Sequence, residues 1–209
     1  MKEIYYIHNS AKMTLAETTA VIVRAEAEGK TTVRLHTGDS SIYGAVREQF
    51  DELIPLGIEY DVTPGVSAFC GAAASLKQEF TLPEVSQTVI ITRQSGKTLV
   101  PEKESIRSLA AHRATMCLYL STRLTKELQQ ELLEGGYPGS TPVAIVFKAS
   151  WPDERIFHCT VDTLHKTVTE NDLTRTSLII VGDCMGEKYA KSYLYDPSYD
   201  RPFHEAATK

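Results

Sequence analysis

The sequence predicts an α/β fold in two units. Three observations lead there. Short apolar runs alternate with helical patterns along the chain, two of those runs end in glycine turns that open helices, and acidic residues gather in the first part. Residues 1–84 carry 7 basic and 12 acidic side chains, whereas residues 85–209 carry 15 of each. The boundary falls at Leu82-Pro83-Glu84, giving an N-terminal unit 1–84 and a C-terminal unit 85–209. Such alternation leads us to expect largely parallel sheets.

The elements follow in order. Thr14-Leu15-Ala16-Glu17 is a capping box that opens a helix, and Gly29 is placed to close it. Residues 31–36 (TTVRLH) read as a strand ending in the turn Thr37-Gly38-Asp39. A helix over 43–56 and a strand over 58–62 come next. Thr63-Pro64-Gly65 breaks that strand before a small-residue helix over 67–76. Beyond the boundary, strands are expected at 88–92, 115–120, 143–147, 155–159 and 177–181. Helices at 103–110, 123–134 and 161–170 fill the intervals.

Composition narrows the function. The 209 residues have a net charge of -5, which argues against a nucleic-acid partner. No apolar run reaches the roughly 20 residues needed to span a bilayer, and the N-terminus lacks the apolar core of a signal peptide. Cys70, Cys117, Cys159 and Cys184 form no CxxC pair, and the six histidines are scattered, so reduced thiols and no metal site are expected in a cytoplasmic protein.

Two turns carry candidate chemistry. Thr37-Gly38-Asp39 follows an expected strand and precedes a helix, where ligands bind in open α/β sheets. Gly38 permits close backbone approach and Asp39 offers an acceptor. A plain turn with Asp39 capping the helix fits equally well. Thr63-Pro64-Gly65-Val66-Ser67-Ala68 repeats the arrangement, with helix-on-sheet packing as its structural alternative. Ser95-Gly96-Lys97-Thr98 ends like a phosphate-binding loop, but the required upstream glycine position is Ile91.

Longer segments carry a resemblance. HTGDSSIYGAVREQ (36–49), VTPGVSAFCGAAASL (62–76), LPEVSQTVIITRQSGKTLVPE (82–102), FKASWPDERI (147–156), TRTSLIIVGD (174–183) and Leu194-Tyr195-Asp196-Pro197 together resemble the tetrapyrrole methylase family. The TRQSGKTLVPE and ASWPDE segments resemble its precorrin-4 C(11)-methyltransferase branch. The resemblance implies two α/β domains with S-adenosylmethionine held in a trough between them. It also implies a homodimer and a tetrapyrrole substrate methylated at carbon 11 in cobalamin biosynthesis.

By resemblance, Gly38, Asp39, Ile42, Tyr43, Ser67, Ala68, Tyr119, Leu120, Ala144, Lys148, Thr176 and Ser177 line the donor site. Ser40 stands where the family usually has proline. The family also begins with a strand, a GxGxGD loop and a helix. No GxGxG occurs here, so the N-terminal unit is expected to lack that first piece.

Methyl transfer from a sulfonium needs no Ser-His-Asp set, so no catalytic side chain is expected. A carboxylate-rich substrate instead wants cations. Arg93, Lys97 and Arg123 are the substrate-binding candidates, with Lys148 a further cation; each also reads as a solvated surface charge. Two alternatives stand beside the enzyme: a sister methylase acting on another tetrapyrrole or diphthamide, and an inactive module that binds donor or tetrapyrrole or dimerises.

Overall fold

The structure, a computed structural model, describes residues 6–186 and 188–195. Asp196 and Pro197 of the late sequence motif lie outside them. The chain divides into two compact units, Met1–Ser67 and Ala68–Lys209.

In the first unit, helix α1 spans Leu15–Ala27. Its N-terminus is the expected capping box: Thr14 Oγ1 accepts from the Glu17 N–H, and the Thr14 N–H donates to the Glu17 carboxylate. Gly29 at φ +65 ends it, with the Lys30 N–H returning to the Ala25 carbonyl. Helix α2 spans Val46–Leu53 and runs into a short 3₁₀ turn at Ile54–Leu56. The expected strands at 31–36 and 58–62 do not form ladders. Neither segment is helix or strand, and no strand pairing joins them among the described residues. Their alternation brings Val33 (73% exposed), Leu35 (80%) and Val62 (53%) to the surface. A strand exists only by pairing, and an apolar alternation specifies extended backbone without specifying a neighbour.

The second unit is a three-layer sandwich. Helix α3 (Ala68–Leu76) belongs to it, so the compact unit starts before the Leu82-Pro83-Glu84 boundary read from sequence. The reason is packing. Ala72 of α3, with Phe80 and Leu82 after it, is buried against Cys117, Val146, Leu178 and Ile180.

Five strands make one sheet: β1 Val89–Arg93, β2 Thr115–Tyr119, β3 Pro142–Phe147, β4 Arg155–Thr160 and β5 Ser177–Val181, in the order β1-β2-β5-β3-β4. Only β1 and β2 are parallel; the other three pairings are antiparallel, which corrects the expected largely parallel sheet. The connection 148–154 is too short for a crossover, so β3 and β4 form an antiparallel pair. β5 then inserts between β2 and β3.

Helices α4 (Ile106–Ala110), α5 (Thr125–Glu134) and α6 (Leu164–Glu170) cover the face opposite α3. Alternate residues serve the two faces. Met116 and Leu118 of β2 join the layer with Leu128, Leu132 and Leu164, while Cys117 turns toward Ala72. These side chains are 0% exposed.

Candidate functional site

In the first unit the two glycine turns meet. A Cβ on Gly65 would lie 2.2 Å from the Gly38 carbonyl oxygen, so only glycine fits there. Asp39 holds the contact. Its Oδ2 accepts from the Gly65 N–H at 2.8 Å, and its Oδ1 accepts from the N–H (2.9 Å) and hydroxyl of Ser41. The helix-capping alternative is therefore excluded: the N-cap of α2 is Ala45, without a side-chain cap. The Ser41 hydroxyl and the Gly65 and Ser41 N–H groups hold the Asp39 carboxyl below its ordinary range. It stays anionic through neutral pH, and these contacts weaken only as pH falls through that lowered value. Ile42 is half-buried, and Tyr43 adopts φ 56 with 45% exposure. Just before the turn, Nε2 of His36 is buried with no hydrogen-bond partner among the described residues.

In the second unit the register gathers strand ends at one side of the sheet. Arg93 pairs with Tyr119, Leu118 with Ile179, and Phe147 with both Ser177 and Arg155. Three residues at this end adopt the left-handed region: Leu120 (φ 53), Lys148 (φ 52) and Thr176 (φ 58). Each costs about 1 kcal/mol for a non-glycine residue, and such strain clusters at functional sites. The Lys148 N–H donates to the Thr176 carbonyl at 2.8 Å, joining two of the three. Leu120 is 68% exposed.

Side chains tie this end to α3. The Phe69 N–H donates to the Tyr119 hydroxyl oxygen at 2.9 Å, closing an open amide in the first turn of α3. Glu154 accepts from the Ser75 hydroxyl at 2.7 Å and from the Ser150 N–H at 2.6 Å. Lys148 pairs with Asp153 and lies 5.4 Å from the Trp151 ring centroid. That pairing holds the exposed Asp153 carboxyl below its ordinary range.

The expected donor-site residues thus fall into groups. Gly38 and Asp39 lie at the turn contact of the first unit, with Ile42 and Tyr43 directly after it. Ser67, 6% exposed, is that unit's last residue, and Ala68 opens α3. Tyr119, Leu120, Lys148, Thr176 and Ser177 share the strand end of the second unit. Ala144 is not brought there: it sits mid-strand in β3, paired with Ile180 and His158, at 0% exposure.

The expected substrate cations divide too. Arg93 donates to the carbonyls of Gln94, Thr98 and Leu99, and Arg123 donates to that of Thr174. Lys97 is exposed, with no ion pair among the described residues. Sequence reasoning missed Gln94, Ser121 and Glu154, although Gln94 and Glu154 lie inside the segments that carried the resemblance.

This architecture is shared with known proteins. The profile of the Tetrapyrrole (Corrin/Porphyrin) Methylases matches residues 2–165. The chain belongs to this family, and its reaction class is methyl transfer. Within the family it is 49% identical to the cobalt-precorrin-4 C(11)-methyltransferase of Methanocaldococcus jannaschii, over 97% of this chain and 79% of the relative. It is 41% identical to the precorrin-4 C(11)-methyltransferase of Mycobacterium tuberculosis, over 90% of this chain and 76% of the relative. A crystal structure of a cobalt precorrin-4 methyltransferase of cobalamin biosynthesis superimposes with a TM-score of 0.82 at 40% identity, covering 84% of this chain and 74% of that one.

The family's methyl donor is S-adenosylmethionine, and the residues present suit it. Gly38 leaves bare backbone, and three donors occupy three of the roughly four acceptor positions of the Asp39 carboxylate. Nε2 of His36, with no hydrogen-bond partner among the described residues, is a further polar atom beside that turn. Hydroxyl and ammonium groups of a donor answer to such a set.

Proposed function

We propose that this chain transfers the methyl group of S-adenosylmethionine to carbon 11 of precorrin-4 or cobalt-precorrin-4 in cobalamin biosynthesis. The observation that carries the reading is the 49% identity, over 97% of the chain, to a relative bearing that activity in its name. When bound, the donor supplies a methyl group on a positively charged sulfur, already activated for displacement.

The chain's task is then to hold two reactants in line and keep water out. The residues we assign to the donor are Gly38, Asp39, Ile42 and Tyr43, with Leu120, Lys148, Thr176 and Ser177. Left-handed backbone at Leu120, Lys148 and Thr176 marks one end of the sheet, where the Lys148 N–H bonds the Thr176 carbonyl. A cytoplasmic homodimer is the working form we propose, on the family's pattern.

Calorimetric titration with S-adenosylhomocysteine, followed by anaerobic turnover with each tetrapyrrole and mass spectrometry of the product, tests the reading. One binding site per chain and methylation of one or both substrates are expected, and their relative rates identify the physiological form. Binding without turnover would instead support a donor-binding module. A folded protein with neither binding nor turnover would overturn the proposal.

A further inference from the structure

Arg93 was the natural candidate for meeting substrate carboxylates, yet three of its five N–H donors go to its own loop. The guanidinium, at the end of β1, reaches the carbonyls of Gln94 (3.4 Å), Thr98 (3.0 Å) and Leu99 (3.3 Å). The loop is knitted elsewhere as well. The Gln94 N–H donates to Ser121 Oγ at 2.8 Å, the Val100 N–H to Ser95 Oγ at 3.3 Å, and the Gly96 N–H to the Thr98 carbonyl at 3.4 Å. A Cβ on Gly96 would come within 3.2 Å of Leu124, so the turn lies close against the segment after β2. Gln94 itself is 4% exposed, and its amide donates to Glu131 at 2.7 Å.

What this hydrogen-bonded loop presents is Lys97. It is exposed at the turn, without an ion pair or hydrogen bond among the described residues, and Leu99, two residues on, is 80% exposed. Arg93 pairs in register with Tyr119, so the loop leaves the sheet at the same end as Leu120, Lys148 and Thr176. A lysine on a mobile loop loses backbone freedom on binding, whereas one on a fixed loop loses only its own rotamers.

We infer that the loop 94–100 is a preformed carboxylate contact for the macrocycle: Lys97 is the binding residue, and Arg93 is a positioning residue that never touches substrate. The inference rests on the proposed function and deepens it by naming a subsite for one substrate carboxylate. Lys148 contributes less, being already paired with Asp153. Arg123 is tied to the Thr174 carbonyl at 3.1 Å.

The test compares Lys97→Gln, Lys97→Arg and Arg93→Gln with the wild type. The readouts are KM and kcat with the preferred tetrapyrrole, the Kd of that tetrapyrrole with S-adenosylhomocysteine present, the Kd of S-adenosylhomocysteine alone, and hydrogen exchange over 95–100. A charge-assisted hydrogen bond corresponds to about a tenfold effect or more. Lys97→Gln is therefore expected to raise KM and the tetrapyrrole Kd about tenfold, leaving loop exchange and S-adenosylhomocysteine affinity at wild-type values. Lys97→Arg recovers most of that loss. Arg93→Gln raises KM together with faster exchange over 95–100, which Lys97→Gln does not cause.

Unchanged KM and tetrapyrrole Kd in Lys97→Gln, in a wild type that turns over, overturn the inference alone. So does an equal loss of S-adenosylhomocysteine affinity, because Lys97 would then serve the donor. A wild type that binds neither tetrapyrrole overturns both this inference and the proposed function.

Discussion

Residues 31–36 of the first unit and Ser177–Val181 of the second are both expected strands, and they meet opposite fates. The second becomes β5, paired on both sides, with Ile179, Ile180 and Val181 at 0% exposure. The first joins no ladder among the described residues, and Leu35 is left 80% exposed. The first alternates polar with apolar residues, the second is apolar from Leu178 to Val181, and only the second has neighbours on both sides among the described residues. A strand's stability is a property of the pairing and the faces it buries rather than of the segment.

The sharpest way to break this contrast is to truncate one apolar side chain in each segment. Ile179→Ala is expected to lower unfolding free energy by 2–5 kcal/mol, the range for buried aliphatic truncations, whereas Leu35→Ala changes it by less than about 0.5 kcal/mol. Urea denaturation of both variants measures this, and equal losses would erase the distinction. Next in size is Gly65→Ala. The added methyl has no room beside the Gly38 carbonyl, so a loss of about 1–3 kcal/mol and weaker S-adenosylhomocysteine binding are expected. Wild-type binding by calorimetry would show that the turn contact is dispensable.

Tyr119→Phe sharpens the comparison from the ordered side. It removes the acceptor of the Phe69 N–H and should cost about 1 kcal/mol, read from the denaturation midpoint at unchanged slope.

The thiols supply a pH test. Burial pushes the Cys117 thiol up to about 12, and burial raises Cys184 too. Native Cys117 stays protonated where an unfolded thiol ionises. Its contribution is thus complete below the ordinary thiol value near 8.5 and declines as pH rises toward 12. Iodoacetamide at about pH 8 should modify exposed Cys70 quickly and Cys117 only after unfolding, as peptide mass spectrometry would reveal. Rapid labelling of native Cys117 would mean that the layer between α3 and the sheet opens readily.

Much of this is legible in the sequence. All five strands of the second unit lie where their apolar runs predicted, and α1 begins at its capping box because that signal is written in residues three apart. The order of strands was not legible, since nothing in SLIIV says which neighbours it will have. The same limit governed the site. The Gly38 and Gly65 turns were visible as motifs, but the Asp39–Gly65 bond spans 26 residues. The Tyr119–Phe69 and Glu154–Ser75 bonds span 50 and 79. Arg93 shows the same limit: the sequence shows a cation but not which carbonyls its loop will turn toward it.

The central position of β5 has a consequence for how the protein is made. A ribosome delivers β1 to β4 first, and they must wait, as two separate pairs with a vacant place between them, until residue 181 has emerged. During that interval the flanks of β2 and β3 offer open edges to any other extended segment, including those of a neighbouring nascent chain. Production of this protein should therefore respond strongly to translation speed through residues 177–181 and to chaperones that shield exposed strands. A transcript cut short before β5 yields a product that cannot close its own sheet.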